Sequence, residues 1–372
     1  MGCNVLRVVD AFPDRFSVVG LAAGGNVERL AEQVARYRPR VVSVATAAAG
    51  EDLGRRVDIS GLRIGLGEEG SVSVAPHRDA QLVVAAAVGA VGLVPTYRAL
   101  EAGKDVALAN KETLVMAGEL VTRAAREGGG EIVPVDSEHS AVLQCLGGHA
   151  ARDVSRLILT ASGGPFRSWD PEHIAHATVD QALQHPTWKM GRKITVDSAT
   201  LVNKALEVIE AHFLFGLGLE QVEVVVHPQS VVHALVEFVD GSVLSQLGFP
   251  NMELPILYAL THPERVSDRG PRRFDALAAG TITFEPVSPS RFPAYALGRA
   301  AGAAGGTTPA VFNAANEVAV QLFLEGRIRF GGIAEIIERV LARHDGGDAG
   351  SLEAVLAADA DARRQAREVV CP

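Results

Sequence analysis

The chain contains few cysteines and lacks a long apolar run. Its three cysteines, at positions 3, 145 and 371 of 372, are odd in number and far apart, which favours a reducing cytoplasm. The longest apolar run, 82–94, includes two glycines, falls short of the ~20 residues that cross a bilayer, and is expected to form a buried strand and turn. A charged and then apolar leader is also absent at the N-terminus. A net charge of −9 argues against a nucleic-acid partner.

The segment 185–210, HPTWKMGRKITVDSATLVNKALEVIE, combines anion-binding donors with a carboxylate. Ser198, Asn203 and Lys204 can donate hydrogen bonds to an anion. Glu207 follows Asn203 by four residues and Lys204 by three, which places these side chains on one helical face. One helical turn is about 5.4 Å long. The donors Ser198, Asn203 and Lys204 and the carboxylate of Glu207 are therefore predicted to lie on one helix that binds a phosphosugar, with its phosphate at the donors and a metal at the carboxylate.

The segment 131–141, EIVPVDSEHSA, supplies two more carboxylates. Asp136 and Glu138 follow a short apolar strand, and an i, i+2 spacing on extended backbone would point both the same way. Together with Glu207 they form an oxygen ligand set that suits Mg²⁺ or Mn²⁺ better than zinc, for which histidine and cysteine are not suitably clustered. The alternative is that this pair merely caps a helix starting near Ser140; only the combination with the downstream helix favours the metal.

The first 135 residues alternate between strand and helix patterns, which predicts an α/β domain with a parallel, doubly wound sheet. Strands are predicted at 17–23, 41–46, 81–88, 105–109 and 131–135, and helices at 26–37, after Val94 and after Thr113. No acidic residue ends the strand 17–23. Gly24, Gly25, Asn26 and the nearby Arg29 leave room for a 2′-phosphate and favour NADPH, although these glycines also fit a simple strand-to-helix turn.

The rest of the chain predicts an α+β catalytic domain followed by a helical bundle. Strands 231–238 and 242–247, joined through an Asp-Gly pair, predict a hairpin. His227 and His233 are expected to pack and hydrogen-bond there rather than bind a metal. Residues 295–370 carry periodic Ala- and Leu-rich segments that fit a small bundle. The predicted division is 1–136 for dinucleotide binding, 137–264 for catalysis and dimerisation, 265–294 as a linker and 295–372 as the C-terminal helical domain.

Seven strings, in one order over nearly the whole chain, resemble the 1-deoxy-D-xylulose 5-phosphate reductoisomerase family. They are LANKE (108–112), PVDSEHSA (134–141), TASGGPF (160–166), HPTWKMGRKITVDSAT (185–200), NKALE (203–207), HPQSVVH (227–233) and NAANE (313–317). The resemblance implies a homodimer that rearranges 1-deoxy-D-xylulose 5-phosphate and reduces the product with NADPH to 2-C-methyl-D-erythritol 4-phosphate, a step of isoprenoid precursor biosynthesis. It also implies a divalent ion, Mg²⁺, Mn²⁺ or Co²⁺.

The resemblance assigns roles to individual residues. The metal ligands are Asp136, Glu138 and Glu207, and the catalytic residues are Lys111, Glu138 and His185. Substrate is expected to contact Lys111, Ser137, Glu138, Ser162, His185, Trp188, Ser198, Asn203, Lys204 and Glu207, with Ser162, Ser198, Asn203 and Lys204 at its phosphate. NADPH is expected to contact Gly2, Gly24, Gly25, Asn26, Asn110, Glu112, Met190 and Gly191. The stretch with His185, Trp188 and Met190 is expected to be a lid, in which Trp188 covers the substrate and Met190 packs on the nicotinamide; alone, a single tryptophan is more often part of a core.

The chain departs from the family pattern at two places. It opens with a predicted helix, 2–12, whose apolar face comprises Val5, Leu6, Val9 and Phe12, whereas the family places a strand and a Gly-rich loop before this helix. Gly2 matches that loop's last glycine, so the first strand and most of the loop are expected to be missing, through either the choice of start site or a form that binds NADPH poorly. Gly25 stands where relatives often carry a basic residue. Two alternative functions stay open: a metal-dependent phosphosugar isomerase or aldolase without nicotinamide, and a non-catalytic paralogue.

Overall fold

A computed structural model of the protein describes residues 1–369, which divide into two compact units. Unit 1 comprises 1–110, 121–135 and 256–268, and unit 2 comprises 111–120, 136–255 and the described chain from 269 onward. Cys3 is an exposed free thiol and Cys145 a buried one, whereas Cys371 lies outside the described residues. The predicted division into four segments stays a prediction.

Strands and helices alternate from the N-terminus to residue 134. The elements are α1 (Gly2–Ala11), β1 (Gly20–Ala22), α2 (Val27–Tyr37), β2 (Val41–Val44), α3 (Ala47–Arg56), β3 (Arg63–Leu66), α4 (Gly67–Val74), β4 (Leu82–Ala85), α5 (Leu93–Glu101), β5 (Asp105–Leu108), α6 (Glu112–Gly128) and β6 (Ile132–Pro134). Helix α6 is interrupted at Ala117 by a non-helical backbone conformation. The predicted elements are confirmed, whereas α3, β3 and α4 were missed because their short, glycine-interrupted segments carry little periodicity.

The strands of unit 1 pair in parallel, which confirms the α/β class. They form two three-stranded sheets, β1–β2–β3 and β4–β5–β6, rather than one continuous sheet. Among the described residues no strand pairs with the second edge of β1 or of β4. Helix α2 buries the predicted positions Val27, Leu30, Ala31 and Val34 in a core shared with β2 and α3.

Two apolar segments of unit 1 differ from the prediction. Helix α1 buries Val5, Leu6 and Val8, so the predicted face with Val9 and Phe12 is wrong by part of a turn. The run 82–94 is not a buried strand and turn throughout, because β4 ends at Ala85 and the side chains of Val88 and Val91 are each 68% exposed. The chain turns at Gly89, whose φ of +79° favours glycine.

The second half of the chain builds a mixed sheet and a set of helices. Its elements are α7 (Ser137–Leu146), β7 (Val154–Ala161), α8 (Pro171–Ala175), α9 (Val179–Ala182), α10 (Arg192–Ala199), α11 (Val202–Phe215), β8 (Val222–Val226), β9 (Val232–Phe238), β10 (Val243–Leu247), α12 (Glu253–Thr261), α13 (Ala276–Ala279), β11 (Glu285–Pro286), α14 (Pro293–Ala304), α15 (Thr308–Leu324), α16 (Gly332–Leu341) and α17 (Leu352–Glu368). The sheet order is β10–β9–β7–β8–β11, and within the described part of this sheet only the β7–β8 pair is parallel. The predicted hairpin β9–β10 is confirmed, and the segment predicted as a linker contributes α13 and β11.

The C-terminal helices α14, α16 and α17 pack around α15, and α14 also packs on α11, which confirms the predicted helical bundle. Phe312 and Phe323 are fully buried in this core, and each such burial contributes roughly 1.5–3 kcal/mol. Helix α14 approaches α11 closely at Gly298, where an added Cβ would come within 2.6 Å of the Ala205 Cβ. Helix α14 therefore holds α11 closely against the bundle. Within residues 1–369, no helix has both the length and the apolar character that crossing a membrane requires.

Candidate active site

The stretch from Ser198 to Glu207, which was predicted to lie on one helix, belongs to two. Ser198 lies in α10, whereas Asn203, Lys204 and Glu207 lie in α11, and the helices are separated at Leu201 by a left-handed backbone with φ of +56°. Thr200 explains the break, since its hydroxyl donates to the carbonyls of α10 and accepts a hydrogen bond from the Val202 N–H. The face shared by Asn203, Lys204 and Glu207 is confirmed, but Ser198 reaches the site from a separate helix.

The carboxylates of Asp136 and Glu138 converge through a helix start rather than through an extended strand. Strand β6 ends at Pro134, Asp136 is the N-cap of α7, and Glu138 occupies the first helical turn. The prediction of extended backbone is therefore wrong, and the capping alternative is partly right, with the helix starting at Ser137 rather than near Ser140. Capping does not exclude a metal, because ligand atoms of Asp136, Glu138 and Glu207 all lie within 4.8 Å of one another.

Two buried lysines lie among these three carboxylates. The Lys204 Nζ is 2.7 Å from Glu138 Oε1 and 2.5 Å from Glu207 Oε2. The Lys111 Nζ contacts Asp136 and lies 3.1 Å from Glu207 Oε1. These five side chains form what we call the carboxylate cluster. Negative charges exceed positive ones there, which suits a divalent cation.

Two neutral side chains complete the carboxylate cluster. Asn203 donates to Glu207 Oε1 over 2.5 Å and accepts a hydrogen bond from the Lys111 Nζ over 2.9 Å. The Ser137 hydroxyl donates to Glu138 Oε2 over 2.6 Å. The N-terminal ends of α6 and α7, with the residues just before them, and helix α11 thus bring together each predicted metal ligand and its predicted neighbours Lys111, Ser137, Asn203 and Lys204.

Burial and neighbouring charges shift the pKa values of the two glutamates of the cluster in opposite directions. Burial, together with the neighbouring Glu138 carboxylate, raises the pKa of Glu207 to about 7. Burial would also raise the pKa of Glu138, but Lys204 outweighs it and holds that pKa well below its usual range. The pKa of Lys204 is raised, because the two glutamates overcome the effect of its burial. Glu138 and Lys204 are therefore both charged, and of the two glutamates Glu207 more readily takes up a proton.

A histidine and a further glutamate, which sequence reasoning missed, support Glu207 from its backbone side. His139 Nε2 donates to the Glu207 carbonyl oxygen over 2.9 Å, and its Nδ1 lies 3.3 Å from Glu210 Oε2. Both side chains are fully buried. Their signal in the sequence was the i+3 spacing, since His139 follows Asp136 and Glu210 follows Glu207 by three residues. This pair fixes the peptide group that carries Glu207.

A second polar group forms around His185. Its Nε2 lies 3.0 Å from the Ser162 hydroxyl and 3.1 Å from the Ser198 hydroxyl. Its Nδ1 accepts hydrogen bonds from the backbone N–H groups of Thr187 and Trp188, so the proton of the neutral ring resides on Nε2. Burial lowers the pKa of His185 to about 4 and keeps the ring neutral. The four residues predicted to hold phosphate thus lie in two groups. Ser162 and Ser198 are with His185, whereas Asn203 and Lys204 are in the carboxylate cluster.

The segment 183–191 forms a loop without helix or strand, as predicted. Trp188 is half-buried, and its ring meets the ring of His233 edge-on at a centroid distance of 6.4 Å. Met190 is also half-buried, whereas Gly191 is exposed. Trp188 is therefore not part of a closed core. The function of this loop as a lid stays a prediction.

His227 and His233 hydrogen-bond within the protein, as predicted. His227 Nε2 accepts from the backbone N–H groups of Val231 and Val232, and its Nδ1 donates to the Thr283 carbonyl oxygen. His233 Nε2 donates to the Gly248 carbonyl oxygen.

The residues predicted to contact NADPH lie in both units. Gly2, Gly24, Gly25, Asn26 and Asn110 belong to unit 1, and Glu112, Met190 and Gly191 belong to unit 2. Gly24 and Gly25 form the turn between β1 and α2, where a Cβ at either position would meet no atom within 4 Å. This turn is open and leads into a helix N-terminus, which suits a phosphate-bearing ligand.

Three polar side chains of this set have structural partners. Asn26 caps α2 by accepting from the Arg29 N–H. Asn110 donates to the carbonyl oxygens of Ala87 and Gly89, and Glu112 accepts from Lys193. Cofactor contact by these residues stays a prediction.

Family models match three successive parts of the chain. One described as 1-deoxy-D-xylulose 5-phosphate reductoisomerase matches residues 1–118, and one described as the C-terminal domain of that enzyme matches 132–215. A third, described as a DXP reductoisomerase C-terminal domain, matches 247–365.

Relatives named 1-deoxy-D-xylulose 5-phosphate reductoisomerase match the chain over its whole length. The relative from Geobacter sp. (strain M21) is 51% identical over 370 residues, which are 100% of this chain and 96% of the relative. The relative from Symbiobacterium thermophilum is 52% identical, covering 99% of this chain and 95% of its own.

Solved structures agree with these matches. The enzyme of that name from Zymomonas mobilis, in complex with NADPH, has a TM-score of 0.92 and 41% identity, covering 99% of this chain and 96% of that one. A DOX-P reductoisomerase in complex with NADPH, fosmidomycin and magnesium has a TM-score of 0.93 and 37% identity, covering 99% and 95%. This chain belongs to the 1-deoxy-D-xylulose 5-phosphate reductoisomerase family.

Proposed function

We propose that this protein converts 1-deoxy-D-xylulose 5-phosphate to 2-C-methyl-D-erythritol 4-phosphate with NADPH and a divalent metal ion, in isoprenoid precursor biosynthesis. The carbon skeleton rearranges to a branched aldehyde, which then takes up a hydride and a proton to become an alcohol. The relatives carry this enzyme's name over the full length of the chain, and two similar structures hold NADPH, one of them with magnesium. Assembly as a homodimer and a cytoplasmic location are parts of the same proposal.

The observation that carries the proposal is the carboxylate cluster. Three carboxylates, that of Glu207 buried and those of Asp136 and Glu138 half-buried, converge within 4.8 Å, and oxygen atoms are the ligands that Mg²⁺ and Mn²⁺ prefer. Asp136, Glu138 and Glu207 would hold the ion. When bound, the ion would act as a Lewis acid toward the substrate's carbonyl and adjacent hydroxyl, and NADPH would supply the hydride.

The lysines of the cluster have a second task once substrate is present. Their ammonium groups offset the carboxylate charge in this structure, and each carries three N–H donors that can turn toward a ligand. Lys111 would direct its donors to the substrate oxygen on which negative charge develops. Lys204 would turn toward the phosphate, which it would bind with Asn203.

The group around His185 would bind the other side of the phosphate. The hydroxyls of Ser162 and Ser198 already lie within hydrogen-bond distance of His185 Nε2, so three donors are directed at one place. A neutral histidine contributes a donor there without adding charge. Fixing the phosphate orients the reacting carbons relative to the metal ligands. Trp188, on the loop 183–191, would exclude water.

The test is an assay that follows loss of NADPH absorbance with 1-deoxy-D-xylulose 5-phosphate and Mg²⁺ or Mn²⁺, with the product identified by NMR. Oxidation of NADPH should require both the sugar phosphate and the metal and should stop when the metal is chelated. Turnover of the sugar phosphate without NADPH oxidation would instead indicate an isomerase or aldolase. Binding without any turnover would indicate a non-catalytic paralogue.

A further inference from the structure

A second polar network lies beside the site in unit 2. None of its members is assigned to substrate or metal, although Glu112 is expected to contact NADPH. Its centre is Lys193, in the first turn of α10. The Lys193 Nζ lies 2.7 Å from Glu112 Oε1 and 2.9 Å from Asp197 Oδ2. Both carboxylates are buried, with side-chain exposures of 8% and 2%. One ammonium group therefore ties the start of α6 to the middle of α10.

Each carboxylate of this network is the immediate neighbour of a proposed active-site residue. Glu112 follows Lys111, whose Nζ reaches the carboxylate cluster, and Asp197 precedes Ser198, whose hydroxyl meets His185. The distance between the backbones that carry Lys111 and Ser198 is thus set partly by Lys193.

The network continues into the C-terminal helical bundle. Asn316, fully buried on α15, donates through Nδ2 to Asp197 Oδ1 over 2.8 Å. Asn316 belongs to the string NAANE (313–317), which the proposed function leaves without a task. Asp197 thus has one oxygen held by Lys193 and the other by Asn316.

Charge keeps the network assembled. Burial alone would lower the pKa of Lys193, but Asp197 and Glu112 outweigh it and raise that pKa. Burial would likewise raise the pKa of Glu112, and Lys193 outweighs it and lowers that pKa. Removing the ammonium group would leave two buried carboxylates without their cation, which is strongly unfavourable.

We infer that Lys193 and Asn316 are positioning residues that act through Glu112 and Asp197 to hold Lys111 and Ser198 at the separation that substrate requires. The inference rests on the proposed function and assigns the NAANE string a role in it. Lys193 acts on both residues, whereas Asn316 acts mainly on the α10 side and hence on the phosphate end.

The test compares three single variants, Lys193→Met, Lys193→Arg and Asn316→Ser. A double variant combines Lys193→Met with Asn316→Ser. Arg339→Met, which removes an exposed cation of α16, is the matched control. Turnover gives kcat and KM, and calorimetry with inorganic phosphate in the presence of Mn²⁺ measures the phosphate end without any reaction. The calorimetric arm separates this inference from the proposed function, since it does not depend on NADPH oxidation.

We expect Lys193→Met to lower kcat by roughly ten- to hundredfold and to raise KM, because a misplacement of about 1 Å has effects of this size. Asn316→Ser should mainly raise KM and weaken phosphate binding about tenfold. Lys193→Arg should recover most of the parental values, and the double variant should lose little more than Lys193→Met, as expected for residues of one network.

Two results would overturn the inference. The first is that Asn316→Ser shows the parental near-ultraviolet circular dichroism and keeps the parental KM and phosphate affinity. This result would refute the inference even if Lys193→Met does not fold. The second is that the effects of Lys193→Met and Asn316→Ser multiply in the double variant. A role in stability alone would lower Tm while leaving the KM of the folded protein unchanged.

Discussion

Replacing Glu207 by glutamine should separate metal binding from folding. The substitution keeps the size of the side chain and a hydrogen-bonding oxygen but removes one of the three carboxylate charges of the cluster. Glu207 is 1% exposed and contacts Lys204, Lys111 and Asn203, so the change acts only within this site.

The structure sets the size of both expected effects. Burial and Glu138 raise the pKa of Glu207 from 4.5 to about 7, so between these pH values the folded state holds a proton that the unfolded state has lost. The free energy of unfolding therefore falls as pH rises through this range, by up to about 3 kcal/mol. A neutral glutamine avoids this cost, so the metal-free variant should be at least as stable as the parent above pH ~7.

Metal binding should change in the opposite direction. One charged contact contributes roughly 1.5–3 kcal/mol, and each 1.4 kcal/mol is about tenfold in affinity. We expect Mn²⁺ to bind Glu207→Gln roughly ten- to hundredfold more weakly, turnover to fall by orders of magnitude, and NADPH to bind nearly as it does to the parent.

The assay combines calorimetric titration of Mn²⁺ with thermal melts in the presence and absence of the ion. Glu338→Gln, the same change at an exposed position of α16, should match the parent in every measurement. Parental Mn²⁺ affinity in Glu207→Gln would show that Glu207 is not a ligand. A large loss of metal-free stability, with NADPH binding lost as well, would show that its role is structural.

Two further substitutions test Lys204 and His185. Lys204→Ala should raise KM strongly for the phosphorylated substrate, since a charge-assisted contact is lost. It should bind an analogue without phosphate as the parent does. Weaker binding of that analogue by the variant would show that Lys204 contacts a part of the substrate other than the phosphate. Burial lowers the pKa of His185 to about 4 in the folded state. Below pH ~6.5 the unfolded chain therefore binds a proton at this histidine that the folded chain does not bind. The free energy of unfolding should fall as pH drops from ~6.5 toward 4. His185→Asn should flatten that part of the curve in urea melts, and an unchanged slope would contradict this.

The local sequence pattern alone located most of the secondary structure and the face of α11 that carries Glu207. The period of apolar residues identified α2, five of the six strands of unit 1 and the hairpin β9–β10, because burial of one face is a local property of the sequence. The spacing of Asn203, Lys204 and Glu207 likewise placed three groups on one face of α11, since helical geometry follows from spacing alone.

Local pattern failed where hydrogen bonds compete with the regular backbone. The break at Leu201 depends on the Thr200 hydroxyl, and the helix start at Ser137 depends on Asp136. Residues of these types fit several local structures, so the period of apolar residues does not decide among them.

The sequence by itself determined the family, the helical face that carries Asn203, Lys204 and Glu207, and the types of side chain available for chemistry. Only the tertiary structure decided which of these side chains meet. Lys204 and Glu138 are 66 positions apart, and Asn316 and Asp197 are 119 apart. Charged residues in a helix normally mark its solvent face, yet Lys204 and Glu207 are buried. The segments that carry Lys111 and Glu138 cover that face of α11 and leave the charges to pair with one another.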